Sequence, residues 1–261
     1  MSVCRSRFSV VVVLLAASCW SLHTMADPVS ELDDAAARIQ YSFHAADARG
    51  IQDALNLVQR IELTAALRGM KDYYLAYGQW KLAELQIEAA AKSGKSARAN
   101  ISRSGAACAT AAEAATRADA RLAEAYAIEA ICSTLASRAP TAVMSDDCTR
   151  HKAFRMAREL EPHNPRIGLI EVQCLMAGEK ASAATLFESL RTVVAAFDAA
   201  PPSRPGRPDW GHAEALLLMG RVQAERGEAV AARDSLERAL VIAPDFRAAR
   251  EQLEKAAPRL L

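Results

Sequence analysis

The sequence is poor in aromatic residues, which make up only 5% of the chain although 51% of its residues are hydrophobic. Much of this hydrophobic fraction is alanine. Strands favour aromatic and β-branched residues, so the composition argues against a β-rich core and favours closely packed helices. The best β-branched run after residue 26, Thr192–Val194, lies inside a helical pattern. We therefore predict an all-α protein.

Motifs that carry catalysis or metal binding are also missing. The histidines are scattered, without an H-x3-H pair or an H-E-x-x-H motif, so the sequence predicts no metal site and no cofactor. Gly94-Lys95-Ser96 matches the end of a phosphate-binding loop, but Ala89 occupies the position of its first glycine. No serine lies in a G-x-S-x-G context. We therefore do not expect an enzyme.

Neither sign of charge dominates the chain, whose formal net charge is +1. Residues 1–26 contain Arg5 and Arg7 and no acidic residue, so their removal would leave a net charge of −1. A balanced charge provides no field that attracts nucleic acid or an acidic membrane surface. We therefore expect no nucleic-acid partner.

The N-terminal residues 1–26 have the pattern of a secretory signal peptide. Two arginines precede an apolar run from Phe8 to Ala17, whose length of about 10 residues is half of the roughly 20 that a membrane-spanning helix needs. The pattern predicts an exported, periplasmic chain that begins at Asp27 and has no transmembrane segment after cleavage. Cleavage at Cys19 would instead leave a lipid-anchored protein, which we favour less because Ala16 stands where a lipobox usually has leucine.

Four cysteines remain after residue 26, and an exported chain meets an oxidising compartment. Cys108, Cys132, Cys148 and Cys174 allow three complete pairings. We favour Cys132–Cys148, because that bridge would tie the base of the long loop at 138–147, and keep Cys132–Cys174 as the rival. Free cysteines acting as small buried hydrophobes are the alternative to any bridge.

The stretch from Trp210 to Phe246 predicts two antiparallel helices that form one structural unit. Gly227 follows the last turn of the first helix, where a left-handed residue is tolerated, and Pro244 ends the second helix. Gly220 lies inside the first helix, where glycine costs about 1 kcal/mol relative to alanine. A glycine at such a position indicates that another backbone packs closely against it.

This unit resembles the tetratricopeptide repeat, which has about 34 residues with W-x2-L-G-x2-Y in its first helix and A-x3-F and a closing proline in its second. Leucine replaces the family's tryptophan and phenylalanine, and Gln223 stands where tyrosine is usual. The residues in register with the repeat are Leu216, Met219, Gly220, Ala232, Leu236, Ala239 and Pro244. One unit cannot bury its own apolar face, so the resemblance implies TPR-like helical hairpin repeats stacked into a right-handed superhelix, an α-solenoid.

The rest of the chain reads as looser copies of the same unit. We expect degenerate repeats over 27–200, a Pro-rich linker at 201–208, and the C-terminal unit with a capping helix over 209–261. Helices are expected at 28–48, 51–68, 71–92, 98–118, 119–137, 148–161, 165–177, 179–198 and 245–257. The stretches Glu161–Arg166 and Trp210–Ala215 are also similar to exported bacterial repeat proteins of uncharacterised function.

In the repeat family, the first helices line a concave face that holds a peptide or a partner protein. By that geometry, the resemblance implies binding residues at Asp72, Gln79, Glu214, Arg221 and Glu225. It therefore implies an exported scaffold for protein–protein or protein–peptide interaction, with an unknown partner. The alternative is a structural component of an envelope complex that packs through its edges, including the loop 138–147, and an enzyme is the least favoured function.

Overall fold

Helices account for all regular secondary structure in the part of the chain that the computed structural model describes, namely residues 27–62, 64, 67–94, 96–137, 148–178 and 181–256. The predicted signal peptide and Cys19 lie outside these residues, as does the loop 138–147. The α-helices are α1 Pro28–His44, α2 Ala48–Arg60, α3 Arg68–Ser93, α4 Arg98–Ala118, α5 Ala123–Ala136, α6 Lys152–Leu160, α7 Pro165–Ala177, α8 Ala183–Ala199, α9 His212–Glu225, α10 Ala229–Ile242 and α11 Arg247–Ala256, with a short 3-10 helix at Cys148–Arg150.

Most helices pack against the next one along the chain, although α6 packs on α5 and the short 3-10 helix rather than on α7, and alternate helices also meet. The pairs α1–α3, α3–α5, α5–α7 and α9–α11 are in contact. This is the arrangement of stacked hairpins, in which the first helix of each pair contributes to one shared face, and we call that face the inner face. The predicted all-α fold of stacked helical hairpins is confirmed.

Side-chain caps fix where several helices begin. Asp27 accepts a hydrogen bond from the Val29 amide, and Asn164 accepts one from the Arg166 amide, in both cases just before a proline that starts the helix. The predicted first helix, 28–48, is too long. It ends at His44, because Ala46 adopts a left-handed φ of 55° and Asp47 caps a new helix that contains Gly50.

The C-terminal hairpin is tightly packed at Gly220. A Cβ atom added there would lie 2.7 Å from Leu236 Cγ and 3.1 Å from the Ala232 carbonyl oxygen, so only glycine lets α9 and α10 approach this closely. The turn between them contains Gly227 at a φ of 79°. The repeat residues Leu216, Met219, Gly220, Ala232, Leu236 and Ala239 are all buried, and Pro244 follows the end of α10.

Both disulfides differ from the predicted pairing. The structure joins Cys108 in α4 to Cys132 in α5, and Cys148 to Cys174 in α7, with Cα–Cα distances of 5.7 Å and 5.6 Å. The predicted bridge Cys132–Cys148 is wrong, and so is its rival Cys132–Cys174. Cys132 faces the preceding helix rather than the helix that follows the long loop. Each bridge therefore links one hairpin to its neighbour instead of closing a loop within a hairpin.

The segment 201–208, predicted as a linker, is attached to α1 and α7 by hydrogen bonds. The Gly206 amide donates to the Asp33 carboxylate at 2.9 Å, and Arg166 Nη2 donates to the Pro208 carbonyl oxygen at 2.6 Å. The hydrophobic core is continuous from Leu32 in α1 to Ala249 in α11. The hairpins before and after the segment therefore share one interior.

Replacing Gly105 with alanine tests the closeness of α4 and α5. An added Cβ would lie 2.6 Å from the Ala136 amide nitrogen and 2.8 Å from the Leu135 carbonyl carbon, backbone atoms that cannot rotate away. Such overpacking costs about 1–3 kcal/mol, more than the roughly 1 kcal/mol that alanine gains in a helix. We expect Gly105→Ala to lower the free energy of unfolding in urea titration. The control Gly178→Ala, whose Cβ meets Cys174 O at 3.5 Å, should be neutral.

Peptide mapping without reductant tests the disulfide pattern. We expect one linked peptide pair containing Cys108 and Cys132 and another containing Cys148 and Cys174. Each bridge closes a loop long enough to contribute about 3 kcal/mol in the chain-entropy model, so reductant should lower the unfolding midpoint substantially. A linked peptide containing Cys132 and Cys148, or the same unfolding midpoint after complete reduction, would contradict the assignment.

Candidate functional site

The inner face is partly filled by the chain itself, through the indole of Trp210. Trp210 Nε1 donates a 2.6 Å hydrogen bond to the Tyr73 hydroxyl, and its ring stacks on Tyr77 with 5.1 Å between centroids. Trp80 meets the same ring edge-on at 5.4 Å. Aromatic pairs in these geometries add roughly 0.5–1.5 kcal/mol each beyond the area they bury. A surface that the repeat resemblance assigns to a ligand is therefore occupied by a side chain of this protein.

A buried hydrogen-bond network continues from Trp210 into the neighbouring hairpins. The Tyr73 hydroxyl donates to Glu124 Oε2 at 2.8 Å, and Asn164 Nδ2 donates to Glu124 Oε1 at the same distance. Burial raises the pKa of Glu124, although the charge of Arg166 and these hydrogen bonds oppose the rise. The network connects α3, α5 and α7 to the segment before α9. The polar atoms that form these hydrogen bonds are paired with one another, so we infer that the network stabilises the fold.

Glycine is required at position 211, between Trp210 and α9. Its φ is 106°, and a Cβ atom there would lie 2.8 Å from Phe197 Cζ. The Gly211 amide donates at 3.0 Å to Glu214 Oε2, which closes the first turn of α9. This local geometry directs Trp210 towards α3 and places Glu214 in the interior.

Lys81 lies beneath the inner face with no exposed surface. Its ammonium nitrogen is 3.9 Å from the Trp80 ring centroid and 4.5 Å from that of Phe43. Glu84 Oε2 accepts its hydrogen bond at 3.0 Å. Cation–π contacts of desolvated groups contribute about 2 kcal/mol, and the carboxylate balances the charge that burial would otherwise leave unpaired. Lys81 is therefore held in place by aromatic rings and one acid.

The inner face opens into a cavity of about 340 Å³, which we call the central cavity. Helices α1, α3, α7 and α9 and the start of α11 all contribute to its walls. Its apolar lining includes Phe43, Leu85, Leu217, Leu218 and Phe246, and its polar lining consists of His44, Glu84, Glu88, Gln173, Glu214 and Arg221. A mostly apolar cavity with a few convergent polar groups is the usual form of a small-ligand site.

Glu214 and His44 face each other across this cavity. Glu214 Oε1 is 3.6 Å from His44 Nε2, and the two residues are only 3% and 6% exposed. Burial raises the pKa of the Glu214 carboxyl, but the neighbouring His44 and the Lys81 ammonium lower it further, and the resulting pKa is about 2. Glu214 is therefore ionised at neutral pH although its side chain is almost completely buried.

Arg221 lies two helical turns from Glu214 on α9 and is half-buried. Its guanidinium forms no hydrogen bond or ion pair with any residue in the described ranges, and Nε is completely buried. Burial lowers the pKa of Arg221, although the carboxylates of Glu88, Glu225 and Glu251 raise it. Arg221 is therefore a cation at the cavity wall whose donors are not used by the fold.

A second concave surface, the outer cleft, lies between the end of α1, the Pro-rich segment and the end of α10. It has a volume of about 520 Å³, and its walls include Tyr41, Pro201, Pro202 and Ile242. The Tyr41 side chain is 60% exposed and that of Ile242 is 46% exposed. His44 lines both the outer cleft and the central cavity, so it forms part of the wall between them.

The structure brings together only two of the five predicted binding residues. Glu214 and Arg221 line the central cavity. Asp72 and Gln79 are half-buried on α3 outside its lining, and Glu225 is exposed at the end of α9. The remaining polar lining of the central cavity was not predicted from the sequence, and neither was the role of Trp210. Glu84 and Glu88 lie one turn apart on a predicted helix, and this spacing could have indicated that both side chains lie on the same face.

No protein-family model matches the chain, and no curated protein matches its sequence. One solved structure that matches is described as the assembly chaperone of RpL4 (Acl4), with 13% sequence identity, a TM-score of 0.39, and coverage of 90% of this chain and 96% of that chain. A likeness this distant carries no argument about function. The tetratricopeptide assignment therefore stays a prediction, while the helical-hairpin fold rests on the structure.

Two kinds of feature are absent from the residues that the structure describes. No helix among them is both long and apolar enough to cross a membrane. They also contain no group of three or more His, Cys, Asp or Glu side chains placed to hold a metal ion.

The depressed pKa of Glu214 predicts a pH-dependent effect of Glu214→Gln. A carboxyl with a lowered folded pKa stabilises the fold above its unfolded pKa and loses that contribution as pH falls through the folded pKa. We expect Glu214→Gln to cost about 3 kcal/mol above about pH 4.5, and this cost to shrink towards about pH 2. Urea titrations across this range measure it. Parallel stability curves for wild type and variant would contradict the prediction, and Glu225→Gln at an exposed position is the control.

Proposed function

We propose that this protein is an exported scaffold that binds a partner protein in the cell envelope through the outer cleft. The observation that carries the proposal is the convergence of exposed apolar side chains there. Tyr41 and Ile242 are two of the five large hydrophobic residues that are exposed in the described ranges, and both line this cleft. Exposed apolar surface with a polar rim is typical of protein-interaction sites, and tyrosine is enriched in them.

The Pro-rich segment supplies a rigid wall for such a site. Pro201 and Pro202 are exposed and line the cleft. The segment is fixed further along by the hydrogen bonds of Gly206 and Pro208 to α1 and α7. A preorganised surface loses less conformational entropy when a partner binds than a mobile one does. The cleft is therefore suited to docking without rearrangement.

The inner face supports this choice by what already occupies it. Trp210 packs on Tyr77 and Trp80 where an extended partner segment would lie in an open solenoid. The volume left in the central cavity, about 340 Å³, is at the low end of the range for small-ligand sites, which is about 300–1,000 Å³. A partner protein is therefore better accommodated on the outer cleft than along the inner face.

Export and an envelope location are part of the proposal. The signal-peptide pattern over residues 1–26 supports them, with lipid anchoring at Cys19 as the less favoured alternative. The placement of all four remaining cysteines in two bridges also supports them, because disulfides persist in oxidising compartments such as the bacterial periplasm.

Photocrosslinking in intact cells tests the docking surface and the compartment together. A photoreactive amino acid at position 41 should yield a discrete adduct that is released with the periplasmic fraction. Ile242→Ser should reduce that adduct roughly tenfold, because burying an isoleucine contributes about 1.5 kcal/mol or more. Val230→Ser is the matched control, since Val230 is 87% exposed on the same helix but lies outside the cleft.

Two outcomes would contradict the proposal. One is an adduct at position 41 that Ile242→Ser and Val230→Ser reduce equally, which would remove the cleft as the docking surface. The other is retention of the protein in the cytoplasm, which would remove the export part. Circular dichroism of both serine variants shows whether they keep the helical fold.

A further inference from the structure

We propose that the central cavity is a binding site for a small organic zwitterion with an apolar body between its two charged ends. In this arrangement the cationic nitrogen of the ligand faces Glu214 and its anionic group faces Arg221. The inference goes beyond the proposed docking of a partner protein, because it concerns a different surface and a different class of ligand.

The order of residues along α9 determines which end of the cavity is negatively charged and which is positively charged. Glu214 and Arg221 are seven residues apart, which corresponds to roughly 10 Å along the helix axis. Leu217 and Leu218 lie between them and line the same cavity. One wall therefore presents a carboxylate, then an apolar stretch, then a guanidinium. A molecule that matches this wall has opposite charges at its ends and hydrocarbon in the middle.

Apolar side chains also line the walls of the cavity that other helices contribute. Phe43 from α1, Leu85 from α3 and Phe246 before α11 line the cavity across from α9. The rings of Phe43 and Phe246 are 6.2 Å apart between centroids. A hydrocarbon chain placed among these side chains would gain about 0.8 kcal/mol for each buried methylene. The body of the ligand is therefore expected to be aliphatic.

Unpartnered polar atoms point to a ligand at both ends. Buried polar atoms are hydrogen-bonded in the great majority of cases. Within the described residues, however, Glu214 Oε1, Gln173 Oε1, Arg221 Nε and also His44 Nε2, which lies 3.6 Å from Glu214 Oε1, have no hydrogen-bond partner. The first two are acceptors, as an ammonium group requires, and the third is a donor, as a carboxylate requires. Glu214 is itself only 3% exposed, so its charge has been removed from water.

The other charged groups around the cavity are already matched. Lys81 pairs with Glu84 at 3.0 Å, and Lys92 pairs with Glu88 at 2.9 Å and with Glu251 at 2.8 Å. His44 compensates Glu214 only when it is protonated. The site as a whole is close to neutral, so a ligand with a large net charge of either sign would be disfavoured. A zwitterion satisfies both ends without adding net charge.

Isothermal titration calorimetry on the oxidised full chain tests this inference with three probes of equal chain length. The probes are ε-aminocaproate, which has both charges, caproate, which lacks the cation, and hexylamine, which lacks the anion. We expect saturable binding of ε-aminocaproate, and at least tenfold weaker binding of each singly charged probe.

Three variants assign the ends of the ligand. Arg221→Gln should weaken ε-aminocaproate at least tenfold and leave hexylamine unchanged, whereas Glu214→Gln should weaken ε-aminocaproate and leave caproate unchanged. Glu225→Gln, one turn beyond Arg221 and exposed, should behave as wild type. Arg221 is half-buried and makes no internal hydrogen bond, so Arg221→Gln keeps the test valid even if Glu214→Gln fails to fold.

The inference is overturned if ε-aminocaproate shows no saturable binding, if the three probes bind equally, or if Arg221→Gln leaves its affinity unchanged. None of these outcomes affects the partner adduct formed at position 41. Conversely, loss of that adduct in the Ile242→Ser variant should leave the affinity for ε-aminocaproate as it is. The two proposals therefore fail independently.

Discussion

The hydrogen bond from Trp210 to the Tyr73 hydroxyl, 2.6 Å long and buried, holds the C-terminal hairpin against α3 in the second hairpin. Helical hairpin repeats ordinarily touch only their sequence neighbours, so nothing in the repeat itself draws the last unit onto an earlier one. Here an indole inserted among Tyr77 and Trp80 supplies that long-range contact. The hydrogen bonds of Glu124 then connect Tyr73, and through it Trp210, to α5 and α7.

This closure determines what the two concave surfaces can do. The first helices of the hairpins meet around a small polar-ended cavity instead of lining an open groove. The residue shared by the cavity and the outer cleft is His44, which contacts Phe246 with ring centroids 4.4 Å apart and faces Glu214 at 3.6 Å. A change in the packing of the central cavity or of the outer cleft would therefore alter the contacts of the His44 imidazole. The two sites are separate in chemistry but adjacent in structure.

Features carried by residues close in sequence were predictable, and those carried by distant residues were not. Asn164 and Pro165 start α7, and Gly220 marks the close approach of α9 and α10, because caps and hairpin contacts depend on local spacing. The cysteine pairing required knowing which side of α5 faces α4, and periodicity does not supply that. For the same reason, the prediction placed Glu214 and Arg221 on the inner face but missed their neighbour Gln173, which reaches the cavity from α7.

The buried ion pairs explain how an alanine-rich interior keeps one register. Alanine side chains are small and alike, so helices packed through them can slide with little loss of buried area. Buried charges do not allow such sliding, because a displaced partner leaves the other charge uncompensated at a cost of about 3–5 kcal/mol. Arg166 with Glu124 relates α7 to α5, and His44 with Glu214 relates α1 to α9. The second pair includes His44, so the contact between the first and last hairpins uses the same side chain that lines both candidate sites.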